Sequence, residues 1–289
     1  MLFSVIFALL IQSAESAPCC AGSSALPSLI TGDEARMIGL SVSYGDVIGD
    51  APGAGRGLPV FRDSYSSKEV RQNMTLSFAT LLSDRWQIGT SIPVVQNQIS
   101  SGLTQESSMQ IGDVSATLGY EALPEWEYSL WKPRIYTFLQ WVAPTGRSIA
   151  QSQSRLAVDV SGLGYHQLHL GAVAIKRWSD WDANIVLKLG SDLNYGSALM
   201  SSSWGAGYSF AEIWRAGMSL ENQYQSPQNV GGILTSQKLV WNTGATFTCL
   251  LGANSSLVAG YTDQTLFGPA INTTLARTAS FSFQHRFER

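Results

Sequence analysis

Residues 73–95, NMTLSFATLLSDRWQIGTSIPVV, contain two alternating runs either side of a four-residue polar break. Met74, Leu76 and Phe78 alternate with Thr75, Ser77 and Ala79. After the break Leu82-Ser83-Asp84-Arg85, the residues Trp86, Ile88, Ile92 and Val94 alternate with Gln87, Gly89 and Ser91. Such a period of two puts one set of side chains on each face of a strand, and the tight polar break makes the pair a hairpin. The face opposite the apolar one is made mostly of Gly, Ser, Thr and Gln. The unit recurs to the end of the chain, so whatever the apolar faces meet, they meet it all the way round.

Twelve strands follow from this pattern: Met37–Gly45, two in the hairpin over Glu69–Gln96, then Asp113–Leu123, Arg134–Ala143, Leu163–Lys176, Ala183–Ser191, Ser203–Ala211, Trp214–Gln225, Lys238–Leu250, Ser256–Leu266 and Thr274–Phe287. The facing of Arg134–Ala143 is ambiguous. Long connections are expected after the odd-numbered strands and short ones after the even. Transmembrane barrels have this asymmetry, with short periplasmic turns and long outer loops, whereas a sandwich or propeller has no cause to produce it. Pro93 costs its strand a ladder donor and is expected to mark a bulge.

Tryptophan placement agrees. Trp86, Trp126, Trp131, Trp178, Trp181 and Trp214 fall in or beside the short turns, and Trp141, Trp204 and Trp241 at the opposite strand ends. Indole favours the headgroup level, where its body is apolar and its N–H finds a partner, and this yields two girdles. In a soluble core the indoles would gather at strand centres.

Composition narrows the class further. Charged residues are 13% of the chain, about half the usual ~25%. No segment after the N-terminus approaches the ~20 apolar residues of a spanning helix. The formal charge of −3, with Lys and Arg scattered, offers no basic surface for nucleic acid. The opening MLFSVIFALLIQSAESA reads as a secretory signal, with residues 1–21 as signal peptide, 22–36 as a leader and 37–289 as the barrel. Cys19 and Cys20 are adjacent and Cys249 stands alone; no Cys/His spacing suits a metal.

Several stretches resemble the large family of outer-membrane transporter barrels that includes proteins of the phenol-degradation meta-pathway type: LSDRWQIGTSIPVV (82–95), IGDVSATLGYEAL (111–123), FLQWVAPTG (138–146), GLGYHQLHLGAVAIKRW (162–178) and GAGYSFAEIWRAGMSLENQY (205–224). The opening PCCAGSSALPSLITGDEAR resembles the family's N-terminal leader. Two departures stand out: Arg147 follows the Pro-Thr-Gly turn where relatives carry an acidic residue, and Glu288-Arg289 extend past the terminal aromatic Phe287. The resemblance implies an all-β, antiparallel up-and-down barrel in the bacterial outer membrane. Small solutes, hydrophobic or aromatic ones among them, would cross it passively. Expected partners are outer-membrane lipids, the assembly machinery and the solutes. The oligomeric state is open.

The expected lumen carries Arg71, Arg85, Glu121, Lys188, Arg215 and Glu221 as pore-lining candidates, together with Asp182 and Arg286. Charged rings set pore preference, but pairs of opposite sign also simply fill a small barrel. His166 and His169 are two of only three histidines, with no third metal ligand apparent and no His-x-Ser or Gly-x-Ser-x-Gly motif. Catalysis by nucleophile and base is therefore not expected, nor is any cofactor. The rival readings are a lipid hydrolase barrel and a structural or adhesive barrel with binding loops.

Overall fold

The structure, a computed structural model, describes residues 27–53, 58–62, 67–230 and 233–289. The expected signal peptide at 1–21, with Cys19 and Cys20, and residues 22–26 of the leader expected at 22–36 lie outside the described residues. Twelve strands form one closed antiparallel barrel: β1 Arg36–Ala51, β2 Ser67–Leu81, β3 Trp86–Ser101, β4 Val114–Leu123, β5 Arg134–Ala143, β6 Gln167–Arg177, β7 Trp181–Asp192, β8 Ala198–Phe210, β9 Trp214–Gln225, β10 Lys238–Leu250, β11 Ser255–Asp263 and β12 Thr273–Phe287. Each strand pairs with its sequence neighbours, and β12 closes on β1 from Arg36↔Phe287 to Ala51↔Thr273. Closure leaves the wall no open ladder edge, which is the condition for strands to cross hydrocarbon.

The alternation sorts side chains as expected. Ile38, Leu40, Val42 and Tyr44 on β1, Ile185, Leu187 and Leu189 on β7, and Phe281 and Phe283 on β12 point outward and are exposed. Ser41, Ser43, Thr75, Ser77, Ser280 and Ser282, from the opposite faces, line the interior. A barrel with an apolar outside and a polar inside is solvated by a bilayer, not by water. Both aromatic girdles are present. Near the short turns, Trp86 packs on Tyr120, Trp181 on Tyr208 and Trp214 on Phe247; at the other end Trp141 stacks on His166 and Trp204 on Trp241.

Three expectations need correction. Residues 97–112 are mostly strand: β3 continues to Ser101 and folds back as a further strand, Thr104–Ile111, which pairs with it from Val94↔Ile111 to Ser101↔Thr104. The segment carries Gln96, Gln98, Ser100, Gln105 and Ser107, so no apolar period announces it; beyond the bilayer both faces meet water. Likewise β8 begins at Ala198, leaving only residues 193–197 after β7, because the Ser201-Ser202-Ser203 run hides the period. The third concerns Pro93, which pairs in register with Thr75 and marks no bulge. It sits where β3 changes partner, since pairing with β4 ends at Ser91 and pairing with the fold-back strand begins at Val94. A residue with no N–H costs least in such a gap, and the Pro93 carbonyl still accepts the Gly112 amide at 2.8 Å.

The leader, described from Pro27, turns up into the lumen from the rim that carries the short turns. Ala35 anchors it there: its amide donates to the Phe287 carbonyl (2.8 Å), and its carbonyl accepts the Leu81 amide (2.9 Å).

Candidate functional site

Inside the wall, the lumen is divided lengthwise. On one side the leader packs against β3 to β7. On the other, a cavity of about 570 Å³ runs between the leader and a wall formed mainly by β9 to β12, β1 and β2, with Ser91 and Pro93 of β3 and Gln140 of β5 also reaching it.

The leader's side is apolar by the logic of register. Tyr136 on β5, Val173 on β6 and Val186 on β7 are consecutive cross-strand partners and form a row across the interior. Phe138 stands one step along, opposite Gly171. Leu29 of the leader, 2% exposed, packs into this row. Next to it Ile30 joins Met37 and Ala79. Close approach depends on two wall glycines: a Cβ at Gly89 would run into the Ser28 carbonyl, and one at Gly119 would meet the Leu29 methyl at 2.5 Å. Polar contacts complete the seat. Gln87 brackets Ile30, accepting its N–H at 2.6 Å and donating to its carbonyl at 3.0 Å. At the rim, Arg134 pairs with Asp33 (2.9 Å) and Arg286 with Glu34 (3.5 Å).

The cavity side is polar and lightly charged. Ser, Thr, Asn and Gln dominate its lining, and among its charged residues are Glu34, Glu221 and Arg286. Glu221 accepts from Gln223 Nε2 at 2.7 Å, and Arg286 Nη2 donates to Gln284 Oε1 at 3.0 Å.

The candidate residues do not converge on one ring. Arg71, near the loop end of β2, pairs with Glu69, which also binds Arg62. Arg85 is not on the wall; it lies in the short turn between β2 and β3, with Nη1 3.5 Å from the Tyr120 hydroxyl. Glu121 pairs with Arg134 near the turn rim. Arg215 and Asp182 make a two-pronged buried pair, Nε to Oδ2 at 2.6 Å and Nη2 to Oδ1 at 2.5 Å. Lys188, on β7, lies across from Gly171 on one side and Ser201 on the other. Only Glu221 and Arg286 of the eight line the cavity.

The histidines likewise separate. His166 accepts from Trp141 Nε1 on the outer face (3.3 Å), whereas His169 is buried inside, 3.0 Å from Gln167 Oε1. Among the described residues a Ser–His contact is made elsewhere, Ser255 Oγ to His285 Nδ1 at 2.8 Å, on the outward side near the turn rim. Sequence spacing could not show it, because register alone joins the two across β11 and β12.

At the loop end, Asp159 organises the long link between β5 and β6. It accepts from the Gln153 amide (2.9 Å), the Ser152 hydroxyl (2.5 Å) and Arg147 (2.9 Å), and these donors hold its carboxyl well below the usual carboxylate range. Asn97, on the overhanging part of β3, donates to the Val158 and Val160 carbonyls of the same link. Tyr165 reaches towards β9, its hydroxyl accepting from Gln225 at 3.4 Å.

No protein-family model matches the chain, and no curated protein matches it. Among solved structures it is similar to an outer membrane channel from Pseudomonas putida F1, with 13% identity, a TM-score of 0.67, and coverage of 90% of this chain and 98% of that one. Two weaker likenesses are the translocator domain of the autotransporter NalP from Neisseria meningitidis (10% identity, 89% of each chain, TM-score 0.48) and the CymD monoaromatic hydrocarbon channel (10% identity, 89% of this chain and 90% of that one, TM-score 0.43). This chain therefore has the fold of the Pseudomonas putida channel, a closed transmembrane barrel.

Proposed function

We propose that this protein is a bacterial outer-membrane channel through which small solutes pass passively. The observation that carries the reading is the cavity of about 570 Å³ beside the leader, in the lumen of a closed barrel. A polar lining of neutral hydroxyls and amides replaces part of a solute's hydration without holding it tightly, which is what conduction requires. Glu221 and Arg286 are the wall charges placed to bias which solutes pass. Lys188 places an amine in the interior near the apolar row. Arg71, Glu121 and Arg215 are paired with Glu69, Arg134 and Asp182 and serve as wall filling. Hydrophobic or aromatic solutes fit the apolar row on the leader's side. Surrounding outer-membrane lipids and the assembly machinery complete the expected partners.

Purified protein in liposomes should admit small neutral solutes at rates that fall steeply with solute size. Vesicles that stay sealed to all of them while holding folded barrel would refute the reading. The rival reading, a lipid hydrolase with an outward nucleophile and base, would have to stand on the Ser255–His285 contact and is not favoured.

A further inference from the structure

We propose that the seat of Leu29 is a solute subsite: a compact apolar group bearing one hydrogen-bonding oxygen binds there in exchange for the leader. The inference rests on the channel reading above and names the solute class it favours. The row formed by Tyr136, Val173 and Val186, with Phe138 beside it, is an apolar patch on an interior face whose other side is lined by hydroxyls and amides. A barrel that merely needed filling could do so with side chains from its own wall, as Arg215 and Asp182 do. Here the filler is an isobutyl group brought in on a separate segment.

The attachment of that segment suits exchange. Among the described residues it makes no ladder with any strand inside the lumen; its polar ties are the Gln87 bracket, the two Ala35 backbone bonds at the rim, and two rim ion pairs, the largely buried Arg286–Glu34 and one to Asp33, which is 89% exposed. The pair to the exposed Asp33 holds little, while Glu34 and Ala35 tie the leader at the rim, next to β1 and away from the Leu29 seat. Displacement also needs no opening of the wall, because the cavity already lies along the leader's other side. The oxygen requirement comes from Tyr136. Its hydroxyl is buried in the same row and has no hydrogen-bond partner among the described residues, and a buried unpaired hydroxyl favours any occupant that can satisfy it. Leu29 cannot.

The probe is 3-methylbutan-1-ol, which has the leucine isobutyl group and one hydroxyl, with glycerol as the polar control. Conductance is recorded in planar bilayers for the wild type, for a variant lacking residues 27–33, and for Leu29→Ser and Val173→Asp, each first shown to be folded by its heat-modifiable gel mobility. The wild type should show a saturable rise with the alcohol, towards the level of the deleted variant, and none with glycerol. Leu29→Ser should start nearer that level, and Val173→Asp should lose the saturable response. An equal effect of the alcohol on the wild type and the deleted variant, or a rise without saturation, would place the effect in the lipid and overturn the proposal. If the deleted variant conducts while the wild type ignores the alcohol, the subsite is refuted and the channel reading stands. If no folded variant conducts, both fall.

Discussion

A single side-chain amide, that of Gln87, satisfies both backbone groups of Ile30, accepting its N–H at 2.6 Å and donating to its carbonyl at 3.0 Å. The wall thus offers the leader the two bonds that a neighbouring strand would, without making it a strand. Gln87 is itself buried, so Gln87→Ala leaves both groups without that partner, at about 1–3 kcal/mol for each group left unsatisfied. Loosening of that order should speed hydrogen exchange at the Ile30 amide by roughly tenfold or more, with exchange in the barrel strands unchanged. Unaltered protection at Ile30 would mean that the apolar seat alone holds the leader.

Facing can be tested on β10. Ala245 is exposed on the outer surface, while Thr246 points inward. A charge on the outer face near mid-bilayer costs ~2–4 kcal/mol, but one on the lumen face can stay hydrated. Ala245→Arg should impair assembly, read as loss of the fast-migrating unboiled band, and Thr246→Arg should keep it. The reverse outcome would put the register one residue out.

The Arg215–Asp182 pair is buried, with side chains 5% and 3% exposed. Removing one partner of such a pair costs about 3–5 kcal/mol, whereas replacing both with apolar groups is often neutral. Asp182→Ala should lower the urea midpoint of the folded barrel, and adding Arg215→Leu should restore much of it. Equal losses in the single and double variants would show that the pair itself contributes the stability.

At the loop end the prediction concerns acid. The Asp159 carboxyl is held low by the Gln153 amide first, then by Ser152 and Arg147. A depressed carboxylate stabilises the folded loop at pH values above its unfolded pKa of about 4, and that contribution fades as pH falls from there through the lowered folded value. Hydrogen exchange across residues 147–161 should therefore stay slow from pH 7 to about pH 5 and quicken, relative to the barrel strands, below about pH 4. Asp159→Asn should be fast throughout. A loop indifferent to both changes would remove Asp159 as its organiser.

The Ser255–His285 contact tests the hydrolase reading directly. Under the channel reading, the protein releases no acyl chains from phospholipid vesicles, and Ser255→Ala leaves solute passage untouched. Acyl release that vanishes in Ser255→Ala would replace the channel by an enzyme.

Most of the wall was legible because a bilayer imposes a simple rule: each strand shows its apolar residues at every second position while it crosses hydrocarbon. Where that constraint stops, so does the signal, and the polar overhang from Asn97 to Gln110 reads as a loop. Strand β5 failed for the opposite reason. Its inward Tyr136 and Phe138 are as apolar as its outward Leu139 and Trp141, so alternation disappeared; the ambiguity was the mark of the interior patch that receives Leu29. The charged candidates were found by type, but only register shows that Arg215 faces Asp182 across β7 to β9, or that Arg85 belongs to a turn. Nothing in the spacing of Leu29 and Ile30 announced that they enter the lumen.

The barrel's seam joins the first strand to the last, Arg36 against Phe287. Nearly the whole chain separates these partners, so the wall cannot close until the final strand has been delivered, and the loop-closure cost falls on that one pairing. The leader continues from the seam's own rim through Ala35. One of its rim anchors, the bond from the Ala35 amide to the Phe287 carbonyl, therefore forms only when the last strand is in place.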